Sequence, residues 1–244
     1  MKISILTLFP EMFDGFLNTS IIKRAIENKR VEIECVNFRE YTDDKHKKVD
    51  EYPYGGKQGM ILMCQPIVSA LEAIRTEDSL VVLVSPKGKQ LKQNLVKELT
   101  NFKQLILVCG HYEGFDERIR EFVDMEISIG DYILTGGELG SMVISDAVIR
   151  LLKGTIKEES HSDESFENDL LEYPQYARPV DFKGHLVPEV LFSGHHENIR
   201  VWRLKQSLKE TYENRPDLLE NREFTAEEKV LLQQIVEADN VETK

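Results

Sequence analysis

The chain has 244 residues, 41% of them hydrophobic and 30% charged, with a formal net charge of −12. That length suits one large domain or two smaller ones, and the composition is that of a globular protein in water. No apolar run reaches membrane-spanning length, no signal-peptide pattern precedes the first strand-like run, and the scattered Cys35, Cys64 and Cys109 read as reduced core thiols, which together predict a cytoplasmic protein with no membrane partner.

In chain order, residues 3–9 read as a buried strand closed by Pro10, and residues 20–28 as an amphipathic helix capped by Ser20. Residues 31–38 form a second strand. Residues 39–59 carry many charges, Pro53, Gly55, Gly56 and Gly59, and a loop so long is functional or disordered. A helix runs from Pro66 to Ile74. Residues 80–84 and 105–109 are solid apolar runs, like strands of a parallel sheet covered on both faces, with helical spacing over 93–102 between them. A helix is expected over 138–152.

Strands alternating with helices predict a doubly wound α/β layer structure. In such sheets ligands sit beyond the carboxyl ends of the strands. Three of those ends carry glycine-containing polar loops: Ser85-Pro86-Lys87-Gly88, Gly110-His111-Tyr112-Glu113-Gly114, and the segment Ser128–Leu139 with Gly130, Gly136 and Gly137. Together they predict one shared pocket built largely from backbone. No dinucleotide fingerprint and no phosphate-gripping P-loop can be read through them.

After Leu152 the character changes. Residues 153–173 are polar and acidic, a linker or lid. Helices follow over 197–212 and from the capping box Thr225-Ala226-Glu227-Glu228 to Ala238, which suggests a small all-helical second domain.

A net negative charge argues against a nucleic-acid partner, yet Lys45 to Lys48, the Lys87–Lys92 group and the Arg200–Lys209 group are local basic islands, or ordinary solvated faces. His195 and His196 lack partners at metal-ligand spacing, so no metal site is assigned, and a capping or partner-contacting role fits them better. Asp116 with Arg118 reads as an internal ion pair. Glu113, just past a strand end, is placed to face the pocket. Arg150 sits near a helix C-terminus, where a cation is favoured in any case, and Asp163 and Glu164 read as linker charge.

Read together, Leu8-Phe9-Pro10-Glu11-Met12-Phe13, Pro53-Tyr54-Gly55-Gly56, Gly59-Met60, Gly110 to Gly114, Ser128 to Leu139, Tyr176-Ala177-Arg178-Pro179, Ser193-Gly194-His195-His196 and Trp202-Arg203 resemble the bacterial tRNA (guanine-N1)-methyltransferases that modify guanosine 37, across nearly the whole chain and in order. The resemblance implies a SPOUT-type parallel sheet with a deep trefoil knot over residues 1–158, a flexible linker over 159–175 and a helical tRNA-binding domain over 176–244. It implies S-adenosylmethionine as methyl donor, a requirement for Mg2+, tRNA bearing guanosine 37 as partner, and a homodimer with composite active sites. By motif, Ser85, Pro86, Gly110, Tyr112, Glu113, Ser128, Ile129, Gly130, Tyr132, Leu134, Gly136 and Gly137 would hold the cofactor, and Lys45, His46, His195 and Arg203 the tRNA.

Guanine N1 carries a proton at neutral pH, so the reaction needs a general base and a cation to stabilise charge on O6. In the family these are an Asp before Ser-Phe and an Arg on the helix after the glycines. Arg150 matches the latter. This chain reads Asp163-Glu164-Ser165-Phe166, so the base is Glu164 by register or Asp163 by identity. Two further departures are Lys57, where a third glycine is usual, and Ala177 in place of a Thr.

Overall fold

The computed structural model describes all residues except 57, 157–163, 167, 221, 243 and 244. The chain folds as two compact units, Met1–Lys157 and Glu158–Lys244.

The first unit is built on five parallel strands, β1 (Lys2–Thr7), β2 (Glu32–Asn37), β5 (Ser79–Gln90), β6 (Gln104–Cys109) and β7 (Met125–Ser128), in the order β2-β1-β6-β5-β7. Side chains alternate between the two faces, which divides the apolar strand residues into two cores. Ile3, Ile5, Val82, Leu105, Leu107 and Ile127 pack with α2 (Ser20–Glu27), α4 (Gln93–Leu99) and α5 (Glu138–Leu151). Leu6, Val81, Leu83, Ile106 and Val108 pack on the other face with α3 (Cys64–Ile74). Every residue of β6 is buried, as its unbroken apolar run requires. A four-residue helix α1 (Asp14–Leu17) precedes α2.

Two local expectations are corrected. Ser20 does not cap α2: the cap position is Thr19, whose hydroxyl donates instead to the carbonyl of Gly15 at 2.7 Å. The run at 80–84 does not end before Ser85. β5 continues to Gln90, and its pairing with β7 shifts between Val84 and Lys89, so Ser85–Gly88 is an irregularity within one long strand. A bulge of this kind tolerates Pro86 and Gly88 where a regular central ladder would not. Of the two alternatives for the 39–59 region, functional or disordered, the structure shows a held segment. Asp44 accepts from the amides of His46 and Lys48, Gln65 donates to the carbonyl of Tyr41, and the side chain of Val49 is buried. The short strand β3 (Asp50–Glu51) then pairs antiparallel with β4 (Ile61–Leu62). Lys57 lies outside the described residues.

The second unit is organised by α6 (His196–Asn214) and α7 (Ala226–Glu242), whose Leu208, Leu231 and Ile235 form a core with Leu170. Part of the stretch expected as linker thus belongs to this core. The amide of Leu171 donates to Thr211 Oγ1 at 2.8 Å, and Thr211 is fully buried. The capping box is formed in both directions, Thr225 N to Glu228 and Glu228 N to Thr225 Oγ1. Among the described residues, the strands of this unit are the hairpin of β8 (Asp181–Phe182) and β9 (His185–Leu186). His195 stands at the cap of α6 without a side-chain capping bond.

Candidate cofactor site

The parallel sheet delivers three chain segments to one place. The loop after β6 begins at Gly110, the loop after β7 begins at Ile129, and the irregular stretch of β5 passes alongside at Ser85–Lys87. Between them lies a cavity of about 400 Å³. Its position past the carboxyl ends of β6 and β7 is where this class of sheet binds ligands. All twelve residues expected to hold a cofactor line it: Ser85 and Pro86 from β5, Gly110, Tyr112 and Glu113 from the second segment, and Ser128, Ile129, Gly130, Tyr132, Leu134, Gly136 and Gly137 from the third.

The walls come from local backbone chemistry. The amide of Gly137 donates to the carbonyl of Gly110 at 2.7 Å, tying two loops together. A Cβ on Gly137 would stand 2.8 Å from Cys109 Cα and from Gly110 N, so this close approach needs glycine. Ser128 Oγ accepts from the amide of Gly130 and donates to its carbonyl, closing the turn at the end of β7. On the far side, Glu113 N donates to Met60 O, Leu62 N to Gly114 O and Asp116 N to Leu62 O, so the end of the 39–59 region is stitched to the cavity rim.

The cavity is acidic. Its lining includes Glu113, Asp116, Glu117 and Glu126 against Lys87 and Arg120, four acids to two bases, or a formal excess of two negative charges. Arg120 bridges Glu117 and Glu126, each at 2.7 Å. The expected Asp116–Arg118 pair is present at 2.6 Å, and its hydrogen bonds hold the Asp116 carboxyl below the usual carboxylate range. Apolar surface from Leu83, Ile127, Ile129 and Leu134 completes the lining. A ligand that is flat and apolar in one part and cationic in another suits such a cavity, and S-adenosylmethionine with its adenine and sulfonium has that chemistry.

The family model described as tRNA (guanine-1)-methyltransferase TrmD matches residues 1–221. The chain belongs to that family. It is 59% identical over 219 residues to the tRNA (guanine-N(1)-)-methyltransferase of Ureaplasma urealyticum serovar 10, an alignment that covers 89% of this chain and 96% of that protein. It is 56% identical over 240 residues to the enzyme of the same name from Halalkalibacterium halodurans, covering 96% and 98% of the two chains. With the one from Bacillus cereus strain AH820 it shares 55% over 242 residues, covering 97% and 99%.

Within this tRNA (guanine-1)-methyltransferase framework the remaining expected residues lie elsewhere. Arg150 is in the last turn of α5, whereas Gly137 and Gly140 line the cavity at the other end of that helix. At about 1.5 Å of rise per residue, the helix carries Arg150 roughly 18 Å from Glu138. Lys45 and His46 are exposed in the turn stapled by Asp44. Glu164, His195 and Arg203 belong to the second unit, and Arg203 stacks on Tyr173 at 4.9 Å. Asp163 lies outside the described residues. Sequence reading missed His111, which also lines the cavity. The signal was its place inside the Gly110–Gly114 motif, between residues already chosen.

No helix among the described residues is long and apolar enough to cross a membrane.

Proposed function

We propose that this chain transfers a methyl group from S-adenosylmethionine to N1 of guanosine 37 in tRNA. The observation that carries the reading is the convergence of all twelve family-matched cofactor residues on one acidic, glycine-walled cavity. S-adenosylmethionine supplies an electrophilic methyl on a cationic sulfur. The residues of the chain do the rest. Backbone at Gly110 and at Gly136–Gly137 holds the flat part of the donor, and the carboxylate of Glu113 favours its charge. Asp163 or Glu164 removes the proton from N1, and Arg150 stabilises the charge that develops on O6.

A homodimer with composite sites accounts for the place of Arg150. Leu139, Val143, Asp146 and Arg150 follow one another along a single stripe of α5, and Leu139 and Val143 are 49% and 47% exposed. Ile133, in the neighbouring cavity loop, is 81% exposed. An exposed apolar patch of this kind suits a self-complementary interface. Antiparallel packing of α5 on its copy would carry the partner's Arg150 towards the first turn of α5, beside the cavity. The cavity would then come from one subunit, and the linker and helical domain from the other. The reading includes the trefoil knot, the domain limits 1–158, 159–175 and 176–244, tRNA contact by Lys45, His46, His195 and Arg203, and a place in the cytoplasm. It also includes a need for Mg2+, which tRNA phosphates and one or two carboxylates would satisfy: no cluster of three His, Cys, Asp or Glu side chains is set up for a metal among the described residues.

Methyl transfer from labelled S-adenosylmethionine to tRNA with guanosine or adenosine at position 37, with and without Mg2+, tests the reading. Label is expected only with guanosine, and equal labelling of both tRNAs, or of neither, would sink it. Arg150→Ala should lower kcat by about 10²–10³-fold without weakening S-adenosylhomocysteine binding. Asp163→Ala and Glu164→Ala, assayed side by side, assign the base.

A further inference from the structure

Beneath the glycine turn that closes the cavity lie two polar side chains to which the reaction above gives no task. His111 pairs with Gly136 through an isolated antiparallel bridge. Its ring is held between Phe9, 4.8 Å away by centroids, and the edge of Tyr112 at 4.9 Å. Its Nδ1 is buried and has no hydrogen-bond partner among the described residues. Glu138, the first residue of α5, is only 2% exposed. Its Oε1 accepts from Thr7 Oγ1 at 2.8 Å, and Thr7 Oγ1 in turn accepts from the amide of Phe9 at 2.9 Å.

Gly136 relates the two groups. A Cβ on this residue would overlap Glu138 Oε2 and stand 2.8 Å from His111 Nδ1. The two atoms therefore face each other across a space that glycine leaves open. A buried carboxylate with one neutral donor is under-satisfied, and so is a buried imidazole nitrogen without a partner. An Nδ1–H directed at Oε2, either directly or through a single water, meets both needs. A bare Nδ1 in direct contact with Oε2 would set lone pair against lone pair.

We propose that His111 and Glu138 form a positioning pair, His111 donating from Nδ1, that holds the Gly136–Gly137 turn in the shape that receives the methyl donor. This rests on the cofactor reading of the cavity. The relay Phe9, Thr7, Glu138, His111 ties the start of α5 and the loop after β6, both of which line the cavity, to the end of β1. Neither His111 nor Glu138 acts on the reacting atoms; both act through the backbone they fix.

The first test needs no ligand. In wild-type protein carrying 15N-histidine, the His111 ring, assigned by its loss in His111→Asn, should show a protonated Nδ1, and a bare Nδ1 overturns the proposal. The second test is titration with S-adenosylhomocysteine. His111→Asn keeps an N–H at the Nδ1 position and should bind within about threefold of wild type, whereas His111→Phe and Glu138→Leu should each bind about tenfold more weakly. Because the two residues act as one unit, the His111→Phe, Glu138→Leu double variant should bind no more weakly than either single one. Equal affinities for the Asn and Phe variants, or losses that add, overturn it. Failure of wild type to bind S-adenosylhomocysteine would refute the cofactor reading instead, and the tautomer alone then decides whether the pair exists.

Discussion

Gly137 is the cavity-wall glycine whose added methyl would press on backbone rather than side chain. It would meet Cys109, the last residue of a fully buried strand, and Gly110 just after it, and neither main chain can readily yield. Gly137→Ala should cost about 1–3 kcal/mol as overpacking and abolish S-adenosylhomocysteine binding, read by thermal melting and calorimetry. The cysteines give a second check at this scale. Burial pushes the Cys35 thiol up to about 11 and holds that of the fully buried Cys109 well above its ordinary value. The thiolate is the reactive form, and raised values keep both protonated at neutral pH. Iodoacetamide at pH 7.5 should therefore spare Cys35 and Cys109 in the folded protein and modify both in denaturant. Labelling of Cys109 in the native state would contradict its place beneath α5. At this scale the cavity-lining glycines were legible because nothing else explains glycine at the end of an apolar strand. The facing of His111 and Glu138 was not, since the residues lie 27 positions apart and only the fold brings their atoms together.

Among the elements, α5 does two jobs with opposite faces. Ile144, Val148 and Ile149 are buried in the core, while Leu139 and Val143 are exposed. An apolar residue left in water along a stripe that ends in Arg150, the proposed partner of guanine O6, argues for a covering partner. If the proposed dimer forms through this stripe, Val143→Lys should convert it to monomer in sedimentation and lower methyl transfer by at least about tenfold, while each monomer keeps its fold by circular dichroism. The helix itself was readable to within a residue of its end, because its apolar positions keep helical spacing from Leu139 to Leu151. β5 was not. Pro86 and Gly88 are breakers by local rule, and only the register shift against β7 shows how one strand absorbs them. The order of the 39–59 region was not legible for a related reason. Besides the turn at Asp44, it draws on Gln65, Ile61 and Leu62, which lie outside the stretch and leave no mark on its composition.

For the whole molecule, a net charge of −12 sets tRNA binding against long-range repulsion, so productive contact depends on short-range basic islands. Affinity for tRNA should fall at least tenfold or so between about 50 and 200 mM KCl, while that for S-adenosylhomocysteine changes less than about twofold. Fluorescence anisotropy and calorimetry on one preparation separate the two; equal salt responses would mean that tRNA is not held through its phosphates. The strand order has a different consequence. β1 lies between β2 and β6, and Lys2 is opposite Gln104 in the sheet. During synthesis, β1 and β2 leave the ribosome long before β6, so one edge of β1, bearing Ile3, Ile5 and Leu6, stays open for about a hundred residues of translation. A message that stalls in that interval releases a sticky two-stranded fragment with no third strand to close it. An interior strand of the finished sheet is therefore an open edge in the unfinished one, and the newborn chain is most in need of a chaperone just before β6 and the two cavity segments that follow β6 and β7 are made.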